Sequence, residues 1–162
     1  MKTKKINNIL YQVIDYREGE DINIPGYNVY IKRKTVITGL IICDNLFIDG
    51  NNISVGKQII NGKQKINGYQ IVCGRQIVNG DQFIEGYQLI KGFQKIKGYQ
   101  SVKGQQIING YQLIKDGQWI QKEQIIKDYQ FIGDNQRVGN YQYVKRNQRI
   151  EGSQFIVKGL NS

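Results

Sequence analysis

Histidine is absent from all 162 residues, proline occurs once and cysteine twice. Without an imidazole the chain has neither the usual general base nor the commonest zinc ligand. That excludes Ser-His-Asp and Cys-His hydrolytic arrangements and histidine-dependent metal centres. Two cysteines, Cys43 and Cys73, are too few for a disulfide framework and read as ordinary thiols. A single proline argues against a disordered linker chain, and 40% hydrophobic content is enough for a core. No run approaches the ~20 apolar residues of a transmembrane helix, so no membrane span is expected. Lysines at 2, 4 and 5 followed by Ile6 to Ile14 have the outline of a signal peptide, but Asn7, Asn8, Gln12 and Asp15 break it. The expected location is cytoplasmic, with leaderless export to the cell surface or medium as the alternative.

Acidic residues are also few. Net charge is +10, and residues 1–55 hold seven basic and six acidic side chains, leaving 16 basic and 7 acidic from 56 onward. The surplus is spread along the chain and makes polyanions candidate partners only in a general way. The carboxylates Asp81, Glu85, Asp116, Glu123, Asp128, Asp134 and Glu151 are scattered, with no convergent pair for acid–base work. No catalytic residue, metal site or cofactor is expected, and the chain reads as a non-enzyme.

What the chain has instead is a repeat. Gln recurs every six residues from Gln58 to Gln154, seventeen times without insertion or deletion. Two residues after each Gln stands Ile or Val, from Ile60 to Ile156. Two residues before it stands Gly, at each of ten positions from Gly56 to Gly110. Beyond Gly110 the slot holds Asp116, Lys122, Asp128, Asp134, Asn140, Arg146, Gly152 and Lys158.

The unit is Gly-x-Gln-x-(Ile/Val)-x. In an extended strand alternate side chains share a face, so Gln and the β-branched residue point the same way. A column made only of Ile and Val must be buried, which makes that face the interior. A helix is excluded, because a period near 3.6 cannot hold a six-residue register. One such strand cannot bury its own face, so the hexads must stack. The expected fold is an all-β single parallel β-solenoid over residues 31–162, with Gln hexads from 56 to 157. Three hexads would close an 18-residue triangular coil and two a flatter 12-residue coil; the triangular form is favoured. Buried Gln amides need partners, and identical residues one coil apart supply them as a ladder. Gly marks the corner, through φ > 0 or through a bend that excludes a Cβ.

Walked backward, the aliphatic column continues through Ile48, Ile42 and Val36, with Leu46 and Leu40 in the Gln slot and Ser54 out of pattern. The solenoid is expected to begin near Ile31 or Lys34. Residues 1–30 then form an N-terminal cap segment, with a short helix expected through Ile6, Leu10, Val13 and Ile14. The stretch 157–162 is too short to cap the other end.

With these columns over residues 36–157, the chain resembles the hexapeptide-repeat parallel β-helix proteins, from which it departs by placing Gln where they carry a small residue. Many of those are acyltransferases and some are zinc carbonic anhydrases. Both chemistries use histidine, so the resemblance implies the fold without the activity. The nearest functional resemblance, by architecture only, is to the filament-forming bactofilins.

Function is then sought on the outward side. Of the seventeen residues that follow the Gln, twelve are apolar or aromatic, too many for a solvated surface. On an 18-residue coil one face collects Ile71, Leu89, Ile107, Ile125 and Tyr143, an expected self-association face for a homo-oligomer or homopolymer. End-to-end stacking of coils is a second route to the same assemblies. The alternative is a polysaccharide-binding surface of Tyr69, Tyr87, Tyr99, Tyr111, Trp119, Tyr129 and Tyr141. Nucleic acid ranks lower: Lys91, Lys97, Lys103, Lys115, Lys127 and Lys145 could follow a phosphate backbone, but they also suit a solvated corner.

Overall fold

Two-residue alternation turns each Gln and its aliphatic partner to one side of the strand, and in the computed structural model that side is the inside. The structure describes residues 2–17, 20–32 and 35–156. Every hexad Gln from Gln58 to Gln136 and every aliphatic from Ile60 to Val138 is at most 2% exposed. Each hexad forms one strand of three or four residues. The strand pairs in parallel with the strand three hexads away: Gln64 with Gln82, Gln82 with Gln100, Gln100 with Gln118. The protein is thus an all-β parallel β-solenoid with an 18-residue coil, the triangular form, about eight coils long by its eight-stranded sheet.

The three sides of the triangle are three sheets. Face 1 carries Leu46–Ile48, Gln64–Ile66 and their successors; face 2 carries Asn52–Ser54 and Gln70–Val72; face 3 carries Lys57–Ile60 and Arg75–Val78. The aliphatic columns of faces 1 and 3 form one core, and Ile90, Ile108 and Ile126 of face 2 form a separate cluster.

The N-terminal segment differs from expectation. Residues 3–13 form no helix but an antiparallel hairpin of β1 (Thr3–Ile6) and β2 (Ile9–Val13), with Ile6 opposite Ile9. Asn7 and Asn8 are the reason, with φ of 47° and 64°. A two-residue hairpin turn requires this left-handed pair, and Asn tolerates it. β2 joins face 1 in parallel with the first strand of that face, Val29–Ile31. Ile14, Tyr16, Ile22 and Ile24 pack against the N-terminal end of the core. Lys34, one of the two expected starting points, and the stretch 157–162 lie outside the described residues.

The backward walk of the aliphatic column also needs correction below Leu46. Leu46 and Ile48 point inward, but Ile41, Cys43 and Ile37 are the fully buried residues of the preceding strands. Ile42 and Val36 lie between them on the outward side and Leu40 precedes the strand. The cause is a shortened corner. Two residues, Asp44 and Asn45, separate Cys43 from Leu46, where three separate Ile60 from Gln64. Dropping one residue reverses the alternation. Leu46 consequently stands over Val29, Asn52 over Thr35 and Gln58 over Ile41, a step of 17 residues. Asn45 bridges the tightened corner, its Oδ1 accepting from the Lys63 amide at 2.6 Å and its Nδ2 donating to Asn28 Oδ1 at 2.6 Å.

The glycine corners work by close approach. A Cβ on Gly74 would lie 2.0 Å from the Val55 carbonyl oxygen one coil below, and on Gly92 2.2 Å from that of Cys73. Neither has a left-handed φ, so the second of the two expected reasons for Gly is the operative one.

Inside, the amides form continuous ladders. Each Gln from Gln76 onward donates its Nε2 to the Oε1 of the Gln 18 residues earlier, as Gln76 does to Gln58 at 2.6 Å, Gln88 to Gln70 at 2.8 Å and Gln112 to Gln94 at 2.7 Å. Rungs also cross between faces. Gln82 Nε2 lies 2.6 Å from Gln64 Oε1, 3.0 Å from Gln76 Oε1 and 3.1 Å from Gln70 Oε1. All these bonds run in one direction, N–H toward the N-terminus and C=O toward the C-terminus. From Gln64 onward every ladder amide therefore has an acceptor for its Nε2, which is the condition for Gln to occupy a core at all.

Candidate self-association face

Face 2 has the one outward column free of charge. Its parallel pairing sets Ile71 over Ile53, Leu89 over Ile71, Ile107 over Leu89, Ile125 over Ile107 and Tyr143 over Ile125. The five residues expected to share a face do share it. The structure extends the column downward through Ile53 and Val36, giving seven apolar residues in line. Sequence reasoning missed Val36 because it took that residue as inward, where the two-residue corner at Asp44–Asn45 was the available signal, and Ile53 because its strand carries Asn52 and Ser54 in place of the hexad Gln and aliphatic. The aliphatic members are half-buried by their neighbours, and Tyr143 is exposed.

The other two faces are interrupted. On face 1 the outward column runs Phe47, Lys65, Phe83, Ser101, Trp119, Arg137 and Phe155. Face 3 carries Ile42, Ile59, Ile77, Lys95, Leu113, Phe131 and Arg149. Cations sit against rings along both, Lys65 over Phe47 at 5.6 Å and Arg149 over Phe131 at 5.8 Å. The hairpin also covers the start of face 1, where Tyr11, Tyr30 and Phe47 form a separate buried cluster. There Lys4 Nζ donates to Tyr30 Oη at 2.8 Å, and Tyr30 donates to Asp49 Oδ2 at 2.8 Å. Hydrogen bonds from Asn67 first, and from Tyr30 second, hold the Asp49 carboxyl below its ordinary range.

The aromatic residues considered for a polymer ligand do not form one surface. Tyr69, Tyr87 and Tyr141 line the leading edge of face 2, with Tyr69 and Tyr87 stacked at 4.8 Å and 11°. Tyr111 and Tyr129 begin strands of face 3, their rings 6.0 Å apart. Tyr99 and Trp119 belong to face 1, where Tyr99, Arg137 and Phe155 border a groove of about 490 Å³ with Asp116 and Asp134. The corner lysines are likewise divided among three corners, and Lys103 is paired with Glu85 at 2.5 Å.

Cys43 is fully buried and Cys73 exposed, and both are free. Burial, with a smaller contribution from Asp44, pushes the Cys43 thiol up to about 12. Among the described residues no three His, Cys, Asp or Glu side chains come together, and no helix is long and apolar enough to cross a membrane. Compared with known proteins, the chain matches no family model, no curated protein and no solved structure.

Proposed function

We propose that this protein is a non-catalytic structural scaffold of the cytoplasm that self-associates through face 2 into dimers or filaments. The observation that carries the reading is the uninterrupted column Val36, Ile53, Ile71, Leu89, Ile107, Ile125 and Tyr143. An apolar stripe of this length is unusual on a monomer and marks an interaction surface. Its side chains repeat at the ~4.8 Å spacing of stacked strands, so a partner that matches it along its length must have the same period. A second copy has it; pairing two like faces in register gives a closed twofold dimer, and a staggered pairing leaves part of each column uncovered to recruit further copies into a filament. The free thiols suit a reducing compartment. Bactofilin-like filaments are the architectural parallel.

End-to-end stacking fits less well. At the N-terminal end Ile14, Tyr16, Ile22 and Ile24 pack against the core. Lateral pairing avoids that obstacle.

Light scattering with negative-stain electron microscopy tests the reading. Dimers or filaments are expected, dissociating in the variant Leu89→Lys/Ile107→Lys while the β-sheet circular dichroism persists. A wild-type monomer at every concentration sinks the proposal. A second reading, polysaccharide binding, draws on the face 1 groove, where aromatic rings stand beside carboxylates; Tyr99→Ala would then reduce binding to a glycan array without changing assembly.

A further inference from the structure

The Gln ladders run out at Asn52. Elsewhere a Gln of face 2 donates to the Gln 18 residues back and to the Gln six back, as Gln88 does to Gln70 at 2.8 Å and to Gln82 at 3.0 Å. Gln70 stands over Asn52 and would donate to it by the first of these bonds, yet Asn52 Oδ1 and Nδ2 have no protein partner. Gln70 keeps only the second, to Gln64 at 3.3 Å. Asn is one methylene shorter than Gln, about 1.5 Å of reach.

A second undersized residue lies in the same strand. Ser54 occupies the inward slot held by Val72 above and Ile37 below, and its Oγ is also without a partner. Asn52 and Ser54 are both 0% exposed, so bulk solvent does not reach them. Two short side chains in a column built for longer ones leave room, and that room is lined by polar atoms.

The donor and acceptor inventory selects the occupant. Asn52 Nδ2 offers hydrogens, Asn52 Oδ1 needs one, and the Ser54 hydroxyl can do either. An anion would serve the donors but strand Asn52 Oδ1 and bring net charge into a dry core. A cation would strand the donors. Water donates two hydrogens and accepts two. We infer that Asn52 and Ser54 form a buried hydration site, with at least one water donating to Asn52 Oδ1. This site is independent of self-association.

Oxygen-17 magnetic relaxation dispersion counts long-lived internal waters and reads the site directly. The double variant Asn52→Gln/Ser54→Val supplies the missing reach and volume. It is expected to hold at least one long-lived water fewer than the wild type and to melt about 2–4 °C higher. Equal water counts in the two proteins overturn the inference, as does a wild-type Tm that rises with chloride at constant ionic strength. Should the variant not fold, an atomic-resolution crystal structure of the wild type decides. Water density within hydrogen-bond reach of Asn52 supports the site, and an anion or a dry contact overturns it.

Discussion

Gln100 sits one coil above Gln82 and donates its side-chain amide to it across 2.7 Å. Gln100 also donates to Gln88 and Gln94 and accepts from Gln106, Gln112 and Gln118, so one side chain ties together three faces and three coils.

Replacing it tests the ladder. Gln100→Leu keeps the volume nearly constant but leaves neighbouring buried amides short of a partner, which costs about 1–3 kcal/mol for a stranded group. Gln154, exposed in the last coil, should tolerate Leu within about 0.5 kcal/mol. Urea denaturation of the two variants compares them; equal stabilities would mean that the ladder contributes nothing.

The corner glycines should not be equivalent. A methyl group on Gly74 would have to displace the Val55 carbonyl at 2.0 Å, whereas on Gly117 its nearest neighbours are the Asn135 carbonyl at 3.0 Å and the Tyr99 ring at 3.2 Å. Gly74→Ala is expected to lower Tm well below that of Gly117→Ala, because backbone resists displacement and a ring edge can give way. Thermal melts followed by circular dichroism provide the comparison.

Hairpin docking should weaken in acid. The Asp49 carboxyl has a folded-state pKa below its ordinary value near 3.8, chiefly through the Asn67 hydrogen bond. A depressed pKa contributes stability that is complete above the ordinary value and vanishes as pH falls through the folded one. Tyr30 ring resonances should therefore shift below about pH 4 as its Asp49 partner protonates. Asp49→Asn should remove that titration, and an unchanged profile in the variant would assign it to another group.

Thiol chemistry should divide the cysteines. At mildly alkaline pH one thiol per chain, Cys73, is expected to react promptly with a disulfide reagent. Cys43, buried and with its thiol pushed up to about 12, should react only on unfolding. Two prompt thiols would contradict the inward placement of Ile41 and Cys43.

Much of this was readable in the sequence, for a physical reason. Gln58 and Ile60 are two apart, so any extended chain turns them together, and seventeen uninterrupted hexads carry that parity to Ile156. The face from Ile71 to Tyr143 followed once three hexads made a coil. The same step explains why the aromatic surface dissolved. Tyr87, Tyr99 and Tyr111 are 12 residues apart, neighbours on a 12-residue coil but on three different faces of an 18-residue one. Parity could not survive the loss of a corner residue at Asp44–Asn45, which turned Ile42 and Val36 outward. The hairpin escaped notice because Ile6, Leu10, Val13 and Ile14 fit a helical spacing, while the turn at Asn7–Asn8 depends on φ angles that composition alone does not impose.

A ladder of like rungs carries no address. Shifted by one hexad, every Gln still meets a Gln and every Ile a Val or Ile, so the repeats alone distinguish poorly between the native winding and its neighbours. Leu46, Asn52 and Gln58 are where that degeneracy ends, since the 17-residue step beneath them admits only one seating of the coil above. The irregular first coil is the origin from which the chain counts its turns, and removing it would leave a sequence with several nearly equal ways to wind.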